Sequence, residues 1–497
     1  MTKNIVIEGN NVTSYLAVLI LLNNNKHIHI NHLIPEKNSD RHLTILSPSY
    51  IRLLQRCNLD IPLLIKATSA QYILGTKLHQ WTKNKEFSTF FLPHNSDLDR
   101  FYQSTFFNNI EIRNQGYDIV AHPDEFNFLP QLIKANLSPI EPYHFPFENE
   151  YSLVIETIKL TAFIKNVLAK HEGNRLKTII NEVMSISVNH SHKSPNELVL
   201  LNNQILVADM LISTTLQSKL MPSIHEVDFP DLTSSITLTF DHSTVAPIPL
   251  YIDHIACTEG DIAFIPSSSF IKATFRYNSK ILTKAKAVQK LLDIIHQNYN
   301  EKLSIIDSDI TYGNKLQYFS QHMLTNNQVY LGRSYSHLNF SEIMQAELDA
   351  FLMYQLLDYI DNDCSPSSTL TINNAVAAYT QTVIDFQQAF YLLSNRPEQL
   401  YSTNMKTAHN CSKTLKRLIQ HWLQGKAITE DLLITPNIAS IQQWNTIFAG
   451  LGIFPAPETL VFDETLKQFD INEQRQFYQN CLQNFSKINE QGQSNAQ

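Results

Sequence analysis

The stretch Asn4 to Asn23, NIVIEGNNVTSYLAVLILLN, decides the fold. Its first six residues, NIVIEG, form a short β-branched run of the kind found in a parallel strand buried on both faces. Asn10 and Asn11 supply the turn. Thr13 to Asn23 then reads as a helix with a wide apolar face, and Lys26 to Leu33, KHIHINHL, alternates as a second strand. The whole is a Rossmann-type βαβ unit. In dinucleotide-binding folds the first turn is G-x-G-x-x-G, and the pyrophosphate rests on the helix N-terminus. Here those three places hold Gly9, Asn11 and Ser14. A Cβ at Asn11 stands where backbone should meet phosphate, and one at Ser14 is expected to loosen helix–strand packing. The unit is therefore a clearer signal of fold than of binding.

Composition bounds the rest. A chain of 497 residues holds two or three domains, and 43% hydrophobic with 17% charged residues is ordinary for a soluble globular protein. The net charge of −8 argues against nucleic-acid binding, which needs clustered Lys and Arg. The apolar stretch Tyr15 to Leu22 is far short of the roughly 20 residues that span a bilayer. Five scattered cysteines (Cys57, Cys257, Cys364, Cys411, Cys481) show no metal spacing and read as reduced thiols. No secretory leader pattern opens the chain. A cytoplasmic protein without membrane or nucleic-acid partners is expected. Glycine is scarce: 11 residues, about 2% where about 7% is usual. Such a chain is badly placed to wrap a pyrophosphate.

Beyond the opening unit, Leu160 to His171 is an amphipathic helix. Leu200 to Ser213 reads as two strands around the polar turn Asn202–Asn203. Ile236 to Phe240, Ala246 to Ala256 and Asp261 to Tyr277 alternate as strands of an antiparallel sheet, suited to floor a substrate cavity. From Glu342 the pattern turns helical, over Ile343 to Tyr359, Asn374 to Ser394 and Thr407 to Gln424. The expected plan is α/β: residues 1–340 an α/β domain with an inserted substrate sheet, 341–485 mainly helical, 486–497 a polar tail.

Several strings, in order, resemble the flavin-dependent tryptophan halogenases. Trp444 to Pro455, WNTIFAGLGIFP, is similar to the family's YxxIFAGLGxLP. Asn326 to Ile360 follows the family segment NNCVxIGLxxxFLEPLESTxIxxI…YQLxxxF without a gap. Gln71 to Trp81, QYILGTKLHQW, aligns with AFKxxxKFxxW. Ala208 to Ile212, ADMLI, precedes the place of DCSG, and Gly260 to Pro266, GDIAFIP, aligns with GWxWxIP. The resemblance implies the fold of FAD-dependent monooxygenases. It also implies a reaction in which reduced FAD, O₂ and halide give hypohalous acid, which reaches a lysine and a glutamate beside an indole.

Carried over by position, the resemblance becomes a series of losses. The catalytic lysine falls on Ile73; Lys77 and Trp81 match the second lysine and the tryptophan. If positions 73 and 77 share one strand they lie roughly 13 Å apart, so Lys77 does not substitute and reads as a lysine reaching solvent. The glutamate is retained as Glu342, which equally fits a carboxylate at a helix N-terminus. The Ser-Thr-Gly beside halide becomes Ile343, Met344 and Gln345, and the motif's first Glu-Pro is Asn339–Phe340. The barrier tryptophans become Asp261 and Ala263. DCSG becomes Ser213, Thr214, Thr215 and Leu216, and polar residues around Ser39 to His42 replace the glycine-rich stretch after strand two.

His27, His29 and His32 could seed a metal site, but without a carboxylate or Cys at ligand spacing they read as exposed strand histidines. Asn189 to His192 reads as a turn. Tyr102, Phe106, Phe107, Phe90 and Phe91 are core aromatics or the wall of a residual indole-like cleft. Three functions remain open. One is a non-catalytic halogenase relative, with FAD absent or weakly bound, that pairs with an active halogenase paralogue or with itself, or presents a substrate. The second is an active halogenase or monooxygenase with remodelled sites, and the third is a small-molecule binder.

Overall fold

The computed structural model describes residues 3–488 except 36–42, 141–144, 188–194, 216–222, 228–231, 242–247, 300–309, 315–316, 326, 339–340, 363, 395–410, 434–438 and 468–469. The chain divides into two compact units. The first takes residues 1–70, 155–227 and 316–383; the second takes 71–154, 228–315 and 384–497. The units interleave along the chain, where the sequence suggested consecutive segments meeting at 340/341.

The first unit carries the expected βαβ: β1 (Lys3–Glu8), α1 (Val12–Asn24) and β2 (Ile28–Ile34). β1 and β2 are parallel, with Lys3 opposite Ile28 and Glu8 opposite Leu33. They lie inside a six-stranded sheet whose order is Leu324–Thr325, Gln328–Tyr330, Met210–Ser213, β1, β2, Leu176–Ile180. All its pairs are parallel except that between the first two strands. α1 buries Val12 and every residue from Ser14 to Leu22, which explains why its apolar face reads so wide. Burying a large aliphatic side chain is worth about 1.5–3 kcal/mol, so this helix is held by packing. The pair of strands foreseen across Leu200 to Ser213 divides differently. Asn196–Leu200 and Ile205–Ala208 make the hairpin, with Asn203 at φ +62°, and Met210–Ser213 joins the parallel sheet instead.

The second unit is built on a seven-stranded sheet in the order Thr311–Asn314, Ser234–Asp241, Phe270–Tyr277, Gly260–Pro266, Ile252–Cys257, Gly75–His79, Thr89–Pro93. It is antiparallel as expected except for the pair Ile252–Cys257 and Gly75–His79, which is parallel. The helix Lys284–Tyr299 covers one face and seals a core of Ile236, Leu238, Ile262, Phe264, Phe275 and their neighbours. The most family-like string forms the helix Ile441–Gly450, with Trp444 edge-on to Phe386 at 5.0 Å. It ends on glycine because a Cβ at Gly450 would sit 2.3 Å from the Phe90 ring. The polar tail begins later than 486: Ser138 N–H donates to Ser486 O at 2.8 Å, and Ile488 is buried.

The remaining helices fall near their expected places, as Thr157–Leu168, Glu342–Asp361, Pro366–Leu393 and Lys413–Leu423. None of the five cysteines forms a disulfide. Among the described residues no helix is long and apolar enough to cross a membrane.

Candidate functional site

The turn between β1 and α1 is closed by its own side chains. Asn11 is the N-cap of α1, and its Oδ1 accepts the Ser14 N–H at 3.0 Å. Ser14 Oγ accepts the Asn11 N–H at 3.4 Å, completing a capping box, and donates to the Gly9 and Asn11 carbonyls. Asn11 Nδ2 in turn reaches Thr214, to its carbonyl at 3.2 Å and its hydroxyl at 3.1 Å. Thr214 Oγ1 donates to Glu8 O at 3.0 Å. Ser14 is fully buried, so the side chain expected to loosen the helix is instead accommodated within the turn. Gly9 is needed because a Cβ there, at φ +152°, would lie 2.0 Å from Thr214 Oγ1.

His32 completes this arrangement and corrects the expectation of exposed strand histidines. His29 is exposed, but His32 is buried, packed edge-on against Tyr15 at 4.8 Å, with Nε2 3.0 Å from Gly9 O. Burial holds its imidazole down at about 4, so it is neutral, and its Nε2–H donates to that carbonyl. Among the described residues no group of His, Cys, Asp or Glu has metal-binding geometry.

Glu342, half-buried, is the first residue of the helix Glu342–Asp361, whose N-cap Ser341 accepts the Met344 N–H at 3.3 Å. Ile343, Met344 and Gln345 are buried in its first turn. Gln345 fastens the incoming chain: its Oε1 accepts Leu338 N–H at 2.9 Å, and its Nε2 donates to Ser336 Oγ and Asp349 Oδ1. Ser39 to His42, Asn189 to His192, Leu216 and Asn339–Phe340 lie outside the described residues.

In the second unit, Ile73 is fully buried at the end of the strand Gln71–Ile73. Positions 73 and 77 do not share a strand as expected. The chain breaks at Leu74 and restarts as Gly75–His79, in a different sheet. Nor does Lys77 simply reach solvent. It is half-buried, with Nζ 5.2 Å from the Tyr251 ring centre and 5.8 Å from that of Phe91.

Asp261, at the first barrier position, is fully buried on Gly260–Pro266 and tied to groups that no local pattern announces. Arg276 Nε donates to Asp261 Oδ1 at 2.6 Å, His254 Nε2 lies 2.8 Å from the same oxygen, and Tyr391 donates its hydroxyl to Oδ2 at 3.0 Å. Trp81 stands edge-on to His254 at 5.1 Å and donates its Nε1–H to His254 O. Ala263 lies opposite His254 and is buried. Of the aromatics foreseen as core or cleft, Phe90, Phe91 and Phe106 are core, Phe106 stacking on Phe126 at 4.9 Å.

A cleft of about 460 Å³ opens between the helix Lys284–Tyr299 and the strands carrying His79 and Ile255, lined also by Lys290, Asp293, Gln297 and Asn298. His79 Nε2 lies 2.5 Å from Asp253, off the hydrogen-bond axis, and Lys290 pairs with Glu259. This wall is polar and internally paired, unlike the apolar slot an indole needs.

A family model described as tryptophan halogenase matches residues 46–465. Comparison with curated proteins finds no match. Among solved structures, the chain is similar to a flavin-dependent halogenase from Xanthomonas campestris, with a TM-score of 0.79 and 14% identity over 98% of this chain and 97% of that one. It is similar also to a flavin-dependent halogenase from Brevundimonas sp. BAL3 (0.78, 14%, 98% of each chain). A tryptophan 6-halogenase from Streptomyces toxytricini matches likewise (0.77, 16%, 98% of each). The mixed α/β architecture with its Rossmann-type sheet is the fold of flavin-dependent halogenases, and the chain belongs to the tryptophan halogenase family.

Proposed function

We propose that this chain is a non-catalytic halogenase relative, holding no FAD or holding it weakly, that serves as a partner or substrate-presenting subunit for an active halogenase. The observation that carries the reading is the closed turn. A pyrophosphate at a helix N-terminus is held by unspent backbone N–H groups and by the absence of Cβ atoms. At this turn the Asn11 and Ser14 N–H groups are capped by each other's side chains, and Asn11 is anchored to Thr214. The residues present do not fit the group. Ile73 in place of the lysine points the same way, because it offers no haloamine-forming nitrogen, and so do Ile343, Met344 and Gln345 where the resemblance puts the Ser-Thr-Gly beside halide.

The test is the visible spectrum and flavin content of the freshly purified full chain, followed by thermal melting with added FAD. A colourless protein whose melting temperature ignores FAD is expected. One equivalent of bound flavin would overturn the reading and favour an active enzyme with Glu342 in its site. Co-expression with an active family halogenase tests the partner role: co-purification and altered partner turnover are expected, and neither occurring removes that role. A melting shift with indoles, absent with FAD, would favour a small-molecule binder.

A further inference from the structure

Cys364 differs from the other four cysteines in what faces its sulfur. At Cys57, Cys257, Cys411 and Cys481 burial pushes the thiol up, which keeps it protonated and inert. Cys364 is half-buried, and Lys3 Nζ, from the first residue of β1, donates to its Sγ at 3.2 Å. Among the described residues no carboxylate pairs with that ammonium. The two residues stand 361 positions apart in the chain, so the fold alone brings them together. Both are held in place. Cys364 takes φ +56° between the end of the helix Glu342–Asp361 and the start of the helix Pro366–Leu393. Its N–H donates to Tyr359 O at 3.0 Å, and its carbonyl accepts the Tyr359 hydroxyl at 3.4 Å. The next residue, Ser365, caps the following helix by accepting the Ser368 N–H at 3.2 Å. Lys3 N–H donates to His27 O at 3.0 Å. Cys364 thus stands against an ammonium and just ahead of a 28-residue helix, at its positive end. Both fields favour the thiolate, the form that reacts.

We propose that Lys3 and Cys364 form an oxidation-dependent covalent link, a sulfenamide between Nζ and Sγ. The oxidant is hydrogen peroxide. The thiolate attacks one peroxide oxygen to give a sulfenic acid, and the other oxygen leaves as hydroxide. That hydroxide takes a proton from the Lys3 ammonium and becomes water. The freed amine attacks the sulfenic sulfur; the S–O bond breaks, and its hydroxyl leaves with an N–H proton as a second water. Sulfur gives up two electrons, and the peroxide takes them. Two molecules of a small thiol reverse the link, restoring amine and thiol and leaving as a disulfide. A sulfenic acid condenses with a nitrogen held against it, and here the nitrogen already touches the sulfur. The link joins the start of β1, inside the parallel sheet, to the junction of two helices in the same unit. Oxidation therefore staples the N-terminal strand in place. The inference stands whether or not flavin binds.

Peptide mapping by mass spectrometry tests it on the full chain, first reduced and then treated with hydrogen peroxide. A peptide joining residue 3 to residue 364 is expected, lighter than its two parts by two hydrogen atoms and dissolved by dithiothreitol. Trypsin should lose its cut after Lys3 at the same time. Lys3→Arg keeps the cation but has no amine to condense. In that variant Cys364 should stop at the sulfenic acid and take up dimedone about tenfold more than in the parent chain. Cys364→Ser should give no link, and circular dichroism checks that both variants fold. A parent chain whose Cys364 takes up dimedone as fully as the Lys3→Arg variant overturns the proposal. So does a link from Cys364 to any other residue, and so does a Cys364 that stays reduced while another cysteine is oxidised.

Discussion

Two stretches whose sequence differs from the family's motifs are held together by different physics. At the Gly9–Ser14 turn the residues that differ are neutral, and they satisfy one another through hydrogen bonds of 3.0 to 3.2 Å. At Gly260–Pro266 a carboxylate has entered a fully buried strand and is balanced by a guanidinium, an imidazole and a phenol. A neutral hydrogen bond is worth about 1 kcal/mol net, so losing any one of the side-chain bonds in the turn costs little. A buried ion pair is costly to break, because the survivor is left charged and unsolvated. The turn therefore lies a few cheap substitutions from an open state, whereas the strand is committed.

The largest expected effect breaks the second arrangement. Asp261→Ala strands Arg276 in the interior and is expected to cost about 3–5 kcal/mol in denaturant unfolding. Replacing Asp261 and Arg276 together by apolar residues should recover much of that loss; failure to recover would make the network more than a charge pair. Next comes pH. His32 is held down at about 4 against an ordinary 6.5, so its contribution is complete above pH 6.5 and is lost as pH falls toward 4. The loss is on the order of 3 kcal/mol, and His32→Gln should flatten that limb of the stability curve.

The second unit holds a group of opposite sign. Asp99, buried under the Phe128 and Ser96 N–H groups that it accepts, is pushed up to about 7 by desolvation. Its contribution is complete below its ordinary 3.8 and is lost as pH rises through 7. Asp99→Asn should remove that decline while leaving the His32 limb in place.

Smaller effects test the turn. Gly9→Ala drives a methyl against Thr214 Oγ1 and is expected to cost about 1–3 kcal/mol; pairing it with Thr214→Ala should relieve part of this. Asn11→Ala loses the cap for about 1 kcal/mol, and Asn11→Gly only a few tenths. A much larger cost at Asn11, read by the same unfolding midpoints, would erase the distinction between the two closures.

What the sequence made legible follows from range. The βαβ unit was readable because strand, turn and helix are contiguous and their apolar periods differ. The missing glycines at Asn11 and Ser14 were readable for the same reason. Their replacement was not, since Thr214 lies about two hundred residues on. Asp261 read only as a lost tryptophan because its partners sit at 254, 276 and 391. His32 misled because it was grouped with His27 and His29, whereas strict alternation puts it on the buried face of Ile28 and Ile30, opposite the exposed His29. The break at Leu74 was signalled by Gly75, a residue that interrupts strands.

All three tryptophans, Trp81, Trp422 and Trp444, belong to the second unit and are 1% exposed. Intrinsic emission should therefore be blue-shifted in the native protein, and its red shift on heating should follow one unit alone. The sealed turn lies in the other unit, optically silent at that wavelength. A fluorescence melt and a far-ultraviolet dichroism melt on one sample thus become separate thermometers, and a gap between their midpoints would measure how independently the two units hold together.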